Sequence, residues 1–295
     1  MVALFVEIVG WAGAILVLIA YVGVSTGRLS GGSATFQWLN AVGAAFFILN
    51  TWWHGAFPSM VLNIIWAVNV PVMTRFIDLS HAIEHGMTTY KGVAAPHICD
   101  YWTREWSRAN YADGSAFQMG RIDMVSNTGT YLDAPFHRFA EGDDLSMLDL
   151  DRLASLPAIV VRRPFEAVGL ATDAADLDGI DVAGRAVLVH TGWDRHWRTP
   201  AYFEDHPFLT EAAAQMLVAR GARLVGIDSH NIDDTRPGTG RPVHRELLGA
   251  GVLICEHMTN LGALPDAGFA FTAVPPKIVS MGTFPVRAFA QVDPA

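Results

Sequence analysis

Only two charged side chains, Glu7 and Arg28, fall within the first 72 residues, leaving 19 basic and 28 acidic residues from Met73 onward. So abrupt a shift marks a boundary, and it dictates two solvents for one chain. Val6 to Val24 carries Glu7 as its sole charge, Phe36 to Trp53 carries none, and Phe57 to Val72 is interrupted by Pro58, Asn63 and Asn69. A membrane-spanning helix needs about 20 consecutive apolar residues. Residues 1–72 therefore read as an all-α transmembrane module of two to three helices, at about 6–24, 36–53 and 57–72. Trp11, Trp38, Trp52, Trp53 and Trp66 are available as interfacial anchors. A secretory signal fits poorly, because no Lys or Arg precedes the first run and a second apolar run follows. A buried globular hairpin is the other alternative. With three spans, Arg28 and Arg75 lie on one side, and the positive-inside rule makes that side cytoplasmic. The expectation is a protein of the cell inner membrane with residues 73–295 as a cytoplasmic domain.

That second part is built differently. Ala158 to Val161, Ala186 to His190 and Leu224 to Asp228 are β-rich apolar runs ending in turn residues. Thr210 to Arg220 between the last two reads as a helix, with Thr210 as N-cap, Glu211 at the positive end and Gly221 closing it. Strand, helix, strand predicts an α/β domain. The net charge of −9 argues against a nucleic-acid partner. Two isolated cysteines, Cys99 and Cys255, make neither a disulfide framework nor a zinc finger.

Chemistry concentrates in Asn127-Thr128-Gly129-Thr130-Tyr131-Leu132-Asp133-Ala134-Pro135-Phe136-His137. Asn127, Gly129, Tyr131 and Asp133 are spaced by two, so an extended segment would aim them at one face. Ala134-Pro135 then breaks regular structure and presents His137 on a stiffened turn. This stretch resembles the signature H-x-G-T-H-x-D-x-P-x-H of the cyclase or kynurenine-formamidase-like metal-dependent hydrolases. The Gly-Thr, Asp, Pro and final His match in register, while Asn127 and Tyr131 stand where the signature has its first two histidines. The resemblance runs from about Thr74 to Val292, including the phrases Asp78-Leu79-Ser80 and Thr191-Gly192-Trp193. It implies a mixed-sheet, cyclase-like (swivelling α/β) domain, commonly a homo-oligomer. Met73 stands where a free-standing domain of this kind would start. Residues 1–72 resemble small bacterial membrane modules through Glu7-Ile8-Val9-Gly10-Trp11 and Gln37-Trp38-Leu39-Asn40.

His244 and Glu256, twelve residues apart around the turn at Gly249 and Gly251, occur where the family places a His and a Glu ligand. The resemblance implies metal ligation by Asp133, His244 and Glu256. A set of imidazole and carboxylates suits one divalent ion, Zn or Mn. Asn127 is a weak ligand, and Tyr131 a poor one at neutral pH. His137 is the expected general base and Tyr131 an expected donor to the developing oxyanion. His81 and Asn127 are further candidates for the site, and Tyr90 and Trp102 for contacts with a small-molecule substrate. The charge cluster Asp194, Arg195, His196 and Arg198 reads as a loop at the pocket mouth or as solvated surface. The leading expectation is a membrane-tethered, arylformamidase-like hydrolase of a small amide, N-formyl or cyclic amide. A ligand-binding sensor tethered to the membrane, and a metal-free lyase or isomerase using Asp133 and His137, are the alternatives.

Overall fold

A computed structural model describes residues 1–29, 33–68 and 74–293. The chain divides into two compact units, the first formed mainly by Met1–Arg75 and the second by Phe76–Val292. In the first, α1 (Val2–Ser25), α2 (Ala34–Trp53) and α3 (Phe57–Val68) follow one another. Among the described residues α1 alone is long and apolar enough to cross a membrane, with a mean hydropathy of 2.5. Gln37, Asn40 and Asn50 dilute α2. At 12 residues α3 is roughly 18 Å long, short of the ~30 Å a bilayer core requires. The expected extension of this third helix over residues 69–72 lies outside the described residues. Gly13 and Gly43 let α1 and α2 approach so closely that a Cβ on Gly13 would stand 2.9 Å from the Gly43 carbonyl.

The second unit opens with β1 (Arg75–Asp78), then β2 (His97–Trp102), α4 (Arg104–Ala109), β3 (Met119–Asp123) and β4 (Tyr131–Asp133). There follow β5 (Leu156–Arg162), α5 (Phe165–Val168), β6 (Ala171–Thr172), β7 (Ala186–His190) and β8 (Phe208–Leu209). The remainder is α6 (Glu211–Ala219), β9 (Leu224–Ile227), α7 (Pro242–Gly249), β10 (Leu253–Glu256), β11 (Ala267–Thr272), β12 (Thr283–Pro285) and β13 (Phe289–Val292). Nine strands form one sheet in the order β1-β13-β11-β5-β7-β9-β10-β4-β12. Its centre, β5-β7-β9-β10, is parallel; β11 pairs antiparallel with β5 on one side, and on the other β4 pairs antiparallel with β10 and β12 antiparallel with β4.

The central strands are almost wholly apolar because both sheet faces are covered. Alternation sends Ala158, Val160, Leu188, Leu224 and Leu253 to one core and Ile159, Val161, Val187, Val225 and Ile254 to the other, under α6 and α7. Thr210 caps α6 as its position suggested, accepting the Ala213 N–H at 3.2 Å. The parity of β4 and β10 positions the chemistry. Leu132 and Cys255 point into the first core, so their neighbours Tyr131, Asp133 and Glu256 emerge on the opposite face. Removing the fully buried Leu188 side chain leaves a cavity at the sheet centre. We expect Leu188→Ala to cost about 2–5 kcal/mol, read as a lowered urea midpoint with unchanged slope.

Candidate metal centre and active site

β4 lies between β10 and β12, and the register sets Tyr131 opposite Glu256 and Asp133 opposite both Ile254 and Thr283. The expected extended face holds for Tyr131 and Asp133. Gly129, at φ +65°, interrupts it, a conformation that favours glycine. The turn Pro135–His137 then brings His137 back over Asp133, with Nδ1 3.8 Å from Oδ1. Thr283 Oγ1 joins the two: it donates to Asp133 Oδ1 and lies 2.8 Å from His137 Nδ1. With its proton spent on the carboxylate, that hydroxyl can only accept from His137. This assigns the imidazole proton to Nδ1 and leaves the Nε2 lone pair free.

α7 supplies His244 from across the cleft. Its Nδ1 sits 2.6 Å from Asp233 Oδ2, and Asp233 also accepts the backbone N–H groups of Val243 and His244 at the start of the helix. This clamp turns Nε2 toward Asp133 Oδ2 at 3.6 Å and Glu256 Oε1 at 3.7 Å. Both separations exceed a hydrogen bond. They match the edge of a coordination tetrahedron, about 3.4 Å for bonds of ~2.1 Å. Asp133 is fully buried, and its Oδ2 has no hydrogen-bond partner. A buried, unpaired carboxylate oxygen is costly unless a cation compensates it. Ligand atoms of Asp133, His137 and His244 all lie within 4.8 Å of one another, so these residues fit a divalent ion. His137, read from the sequence as a base beside the ion, thus joins the group able to hold it.

Glu256 is differently engaged. Its Oε2 accepts the Tyr131 hydroxyl at 2.6 Å and the Asn231 amide at 3.5 Å, and its Oε1 accepts the Ile232 N–H at 2.6 Å. Asn127 stands beside Tyr131 in the cavity wall, its Oδ1 accepting the Ser126 hydroxyl at 3.1 Å. The phenol expected to aim at an oxyanion is instead buried and committed to a carboxylate. Burial, reinforced by the Glu256 and Asp133 charges, pushes Tyr131 well above the usual phenol range. Burial also pushes Glu256 up to about 7, against the opposing pull of His244. For His244 burial acts downward, but Glu256, Asp133 and Asp233 outweigh it and push the imidazole up to about 10. Burial lowers His137 from its ordinary value, with Asp133 opposing and His244 and Arg138 adding to the effect. His137 is therefore neutral at pH 7.

These groups open on a cavity of about 270 Å³ whose walls include Tyr90, Asn127, Tyr131, His137, Asn231, His244 and Glu256. Tyr90 and Asn127 are where the sequence suggested. Trp102 is not in that lining: it stacks on Trp106 at 4.6 Å in the β2–β3 ribbon. His81 is absent from it too, stacked on Trp197 at 4.0 Å, and burial drives its imidazole down to about 4. The cluster at Asp194 is structural surface: Arg195 pairs with Glu166, Arg198 with Glu84, and Asp194 accepts the Thr259 hydroxyl. Sequence reasoning missed Asp233, Thr283 and Asn231. The run Asp228 to Asp234 just ahead of the His244 helix was a usable signal for Asp233; Thr283 had none.

The family model described as "Putative cyclase" matches residues 77–234, and the chain belongs to this cyclase family. A separate family model matches residues 6–69. Kynurenine formamidase of Geobacillus thermodenitrificans is 29% identical over 221 residues, covering 74% of this chain and 97% of the relative. A solved potential metal-dependent hydrolase with cyclase activity superimposes with a TM-score of 0.61 at 26% identity, over 75% of this chain and all of the other. Isatin hydrolase A from Labrenzia aggregata shares the fold, with a TM-score of 0.63 at 21% identity, over 81% and 100%. The comparisons thus support a metal-dependent amide hydrolase of the cyclase family.

Because Asp233 holds His244 through Nδ1 rather than facing the cluster itself, its loss should weaken metal binding there without abolishing it. We expect Asp233→Asn to lower divalent-metal affinity about 10- to 100-fold, measured by competition with a chromogenic chelator. Metal must also displace the His244 proton, so affinity should rise with pH across the neutral range. An affinity indifferent to both changes would place the ion elsewhere.

Proposed function

We propose that the chain hydrolyses a small amide, N-formyl or cyclic amide bond in the manner of an arylformamidase, using one divalent ion, Zn or Mn. The observation that carries this reading is the unpartnered Asp133 Oδ2 facing His244 Nε2 beside a neutral His137. Asp133 and His244 would hold the ion, with Glu256 adjoining it at Oε1 and His137 kept free beside them. When bound, such an ion supplies Lewis acidity, polarising the scissile carbonyl and acidifying water. His137 Nε2 is positioned to take a proton from the attacking water and return it to the leaving amine. Thr283 fixes that ring through Nδ1 and transmits the Asp133 charge to it. Asn231 and Asn127 offer amide groups to an approaching carbonyl or amine from the cavity wall. A single ion is favoured because both Glu256 oxygens already accept hydrogen bonds and, of the two altered signature positions, Tyr131 is committed to Glu256 and Asn127 Oδ1 to Ser126.

The same hydrogen-bonded set supports a second reading, a catalytically altered domain that binds a small ligand. Metal content and turnover separate the two: the hydrolase reading expects about one equivalent of metal per chain and hydrolysis of an aryl formamide, whereas a metal-free, inert protein supports the sensor. The apolar helix α1 supports tethering to the membrane, and the cytoplasmic placement of the hydrolase unit rests on Arg28 and Arg75. Homo-oligomerisation is supported by the β2–β3 ribbon and its connecting helix α4, which leave Tyr101, Ile122 and Trp106 exposed; two-stranded ribbons are marginal alone in water.

We expect His137→Ala to reduce kcat by roughly 10²- to 10⁴-fold with the circular-dichroism spectrum and urea midpoint retained. In the wild type a base with a pKa below its ordinary 6.5 stays unprotonated through neutrality, so kcat/KM should hold at pH 7 and fall only below 6.5. An acid limb centred above 7 would remove His137 from this role.

A further inference from the structure

The cavity wall includes two guanidinium groups, Arg138 and Arg241. Elsewhere in this unit eleven basic side chains, from Lys91 to Arg287, lie within 4.0 Å of a carboxylate, while five others, Arg104, Arg108, Arg121, Arg223 and Lys277, line no part of the cavity. Arg138 and Arg241 have no such partner among the described residues. Arg241 is nonetheless held in place. Its Nη1 donates to the carbonyls of Asp234 at 3.0 Å and Gly240 at 2.9 Å. These contacts take two of the five N–H donors of a guanidinium, so three remain for another acceptor. The one acidic residue in the cavity lining, Glu256, already accepts from Tyr131, Ile232 and Asn231. The walls therefore present unneutralised positive charge in a chain whose net charge is −9. Arginine takes a planar carboxylate in a bidentate grip. At about 270 Å³ the space lies just below the ~300–1,000 Å³ usual for drug-sized ligands and suits a single substituted ring.

We propose that the substrate carries a free carboxylate beside its amide and that Arg241, with Arg138, recognises it. This rests on the hydrolase reading for the amide but not for the anion. The two substrates to compare are 2-formamidobenzoate and formanilide, which differ only in the carboxylate. Their unreactive counterparts for calorimetry are 2-aminobenzoate and 2-aminobenzamide. All are offered to the zinc-loaded full-length protein in detergent. Charge-assisted hydrogen bonds to a guanidinium predict that 2-aminobenzoate binds roughly 10-fold or more tightly than 2-aminobenzamide. Arg241→Gln and Arg138→Gln should each close most of that gap, Arg241→Lys should keep part of it, and Lys277→Gln, an equal loss of charge away from the cavity, should leave it. Equal binding of the pair, or a gap surviving both glutamine variants, overturns the proposal. If the gap is present and arginine-dependent while neither formamide is hydrolysed, the anion site stands and the hydrolase reading falls. If both formamides are hydrolysed with equal kcat/KM and no gap is found, the hydrolase reading stands and the anion site falls.

Discussion

A carboxylate with no exposure to solvent, Asp133, governs this domain. Taking such a charge out of water costs several kcal/mol unless partners compensate it. Here the partners arrive from distant parts of the chain: Thr283 from the neighbouring strand, His137 from the turn four residues on, and His244 from a helix more than a hundred residues away. Each has a place because the antiparallel edge β10-β4-β12 fixes which residues share a face. A slip of one residue in β4 would turn Leu132 toward the cleft and drive Asp133 into hydrocarbon. The sheet register and the ligand set are thus one constraint.

The two departures from the family signature acquire a physical meaning in that setting. Tyr131 is hydrogen-bonded to Glu256, and with Asn127 beside them in the cavity wall they close one side of the site. Tyrosine is not a damaged histidine here. Its ring is buried on the sheet, and its hydroxyl gives the Glu256 Oε2 its shortest hydrogen bond. The cleft is left with one cluster of open ligand atoms and a cavity beside it.

The α/β architecture could be read from the sequence because buried parallel strands such as Ala186–His190 announce themselves as short apolar runs, and Thr210 and Gly221 bracket a helix. The metal-competent residues Asp133, His137 and His244 were legible only through their resemblance to a family pattern. Nothing in the local sequence says that residues 133 and 244 converge. What escaped was of two kinds. Thr283 lies in an unremarkable three-residue strand, and its role exists only through pairing with β4. Trp102 and His81 are chemically suitable residues whose neighbours, Trp106 and Trp197, use them for packing instead. In the N-terminal unit, the absence of charge was plain, but the amides spread along α2 set it apart from α1.

The hold of Asp233 on His244 has a wider implication. Three hydrogen bonds to the first turn of α7 orient the imidazole by protein contacts alone, and acidic neighbours let it carry a proton in place of an ion. Proton and cation are thus exchangeable occupants of one electrostatic niche. Loss of the ion need not melt the fold, and reloading need not wait for refolding. Occupancy of the site by a divalent ion would then depend on pH as well as on ion concentration, because each binding event displaces a proton.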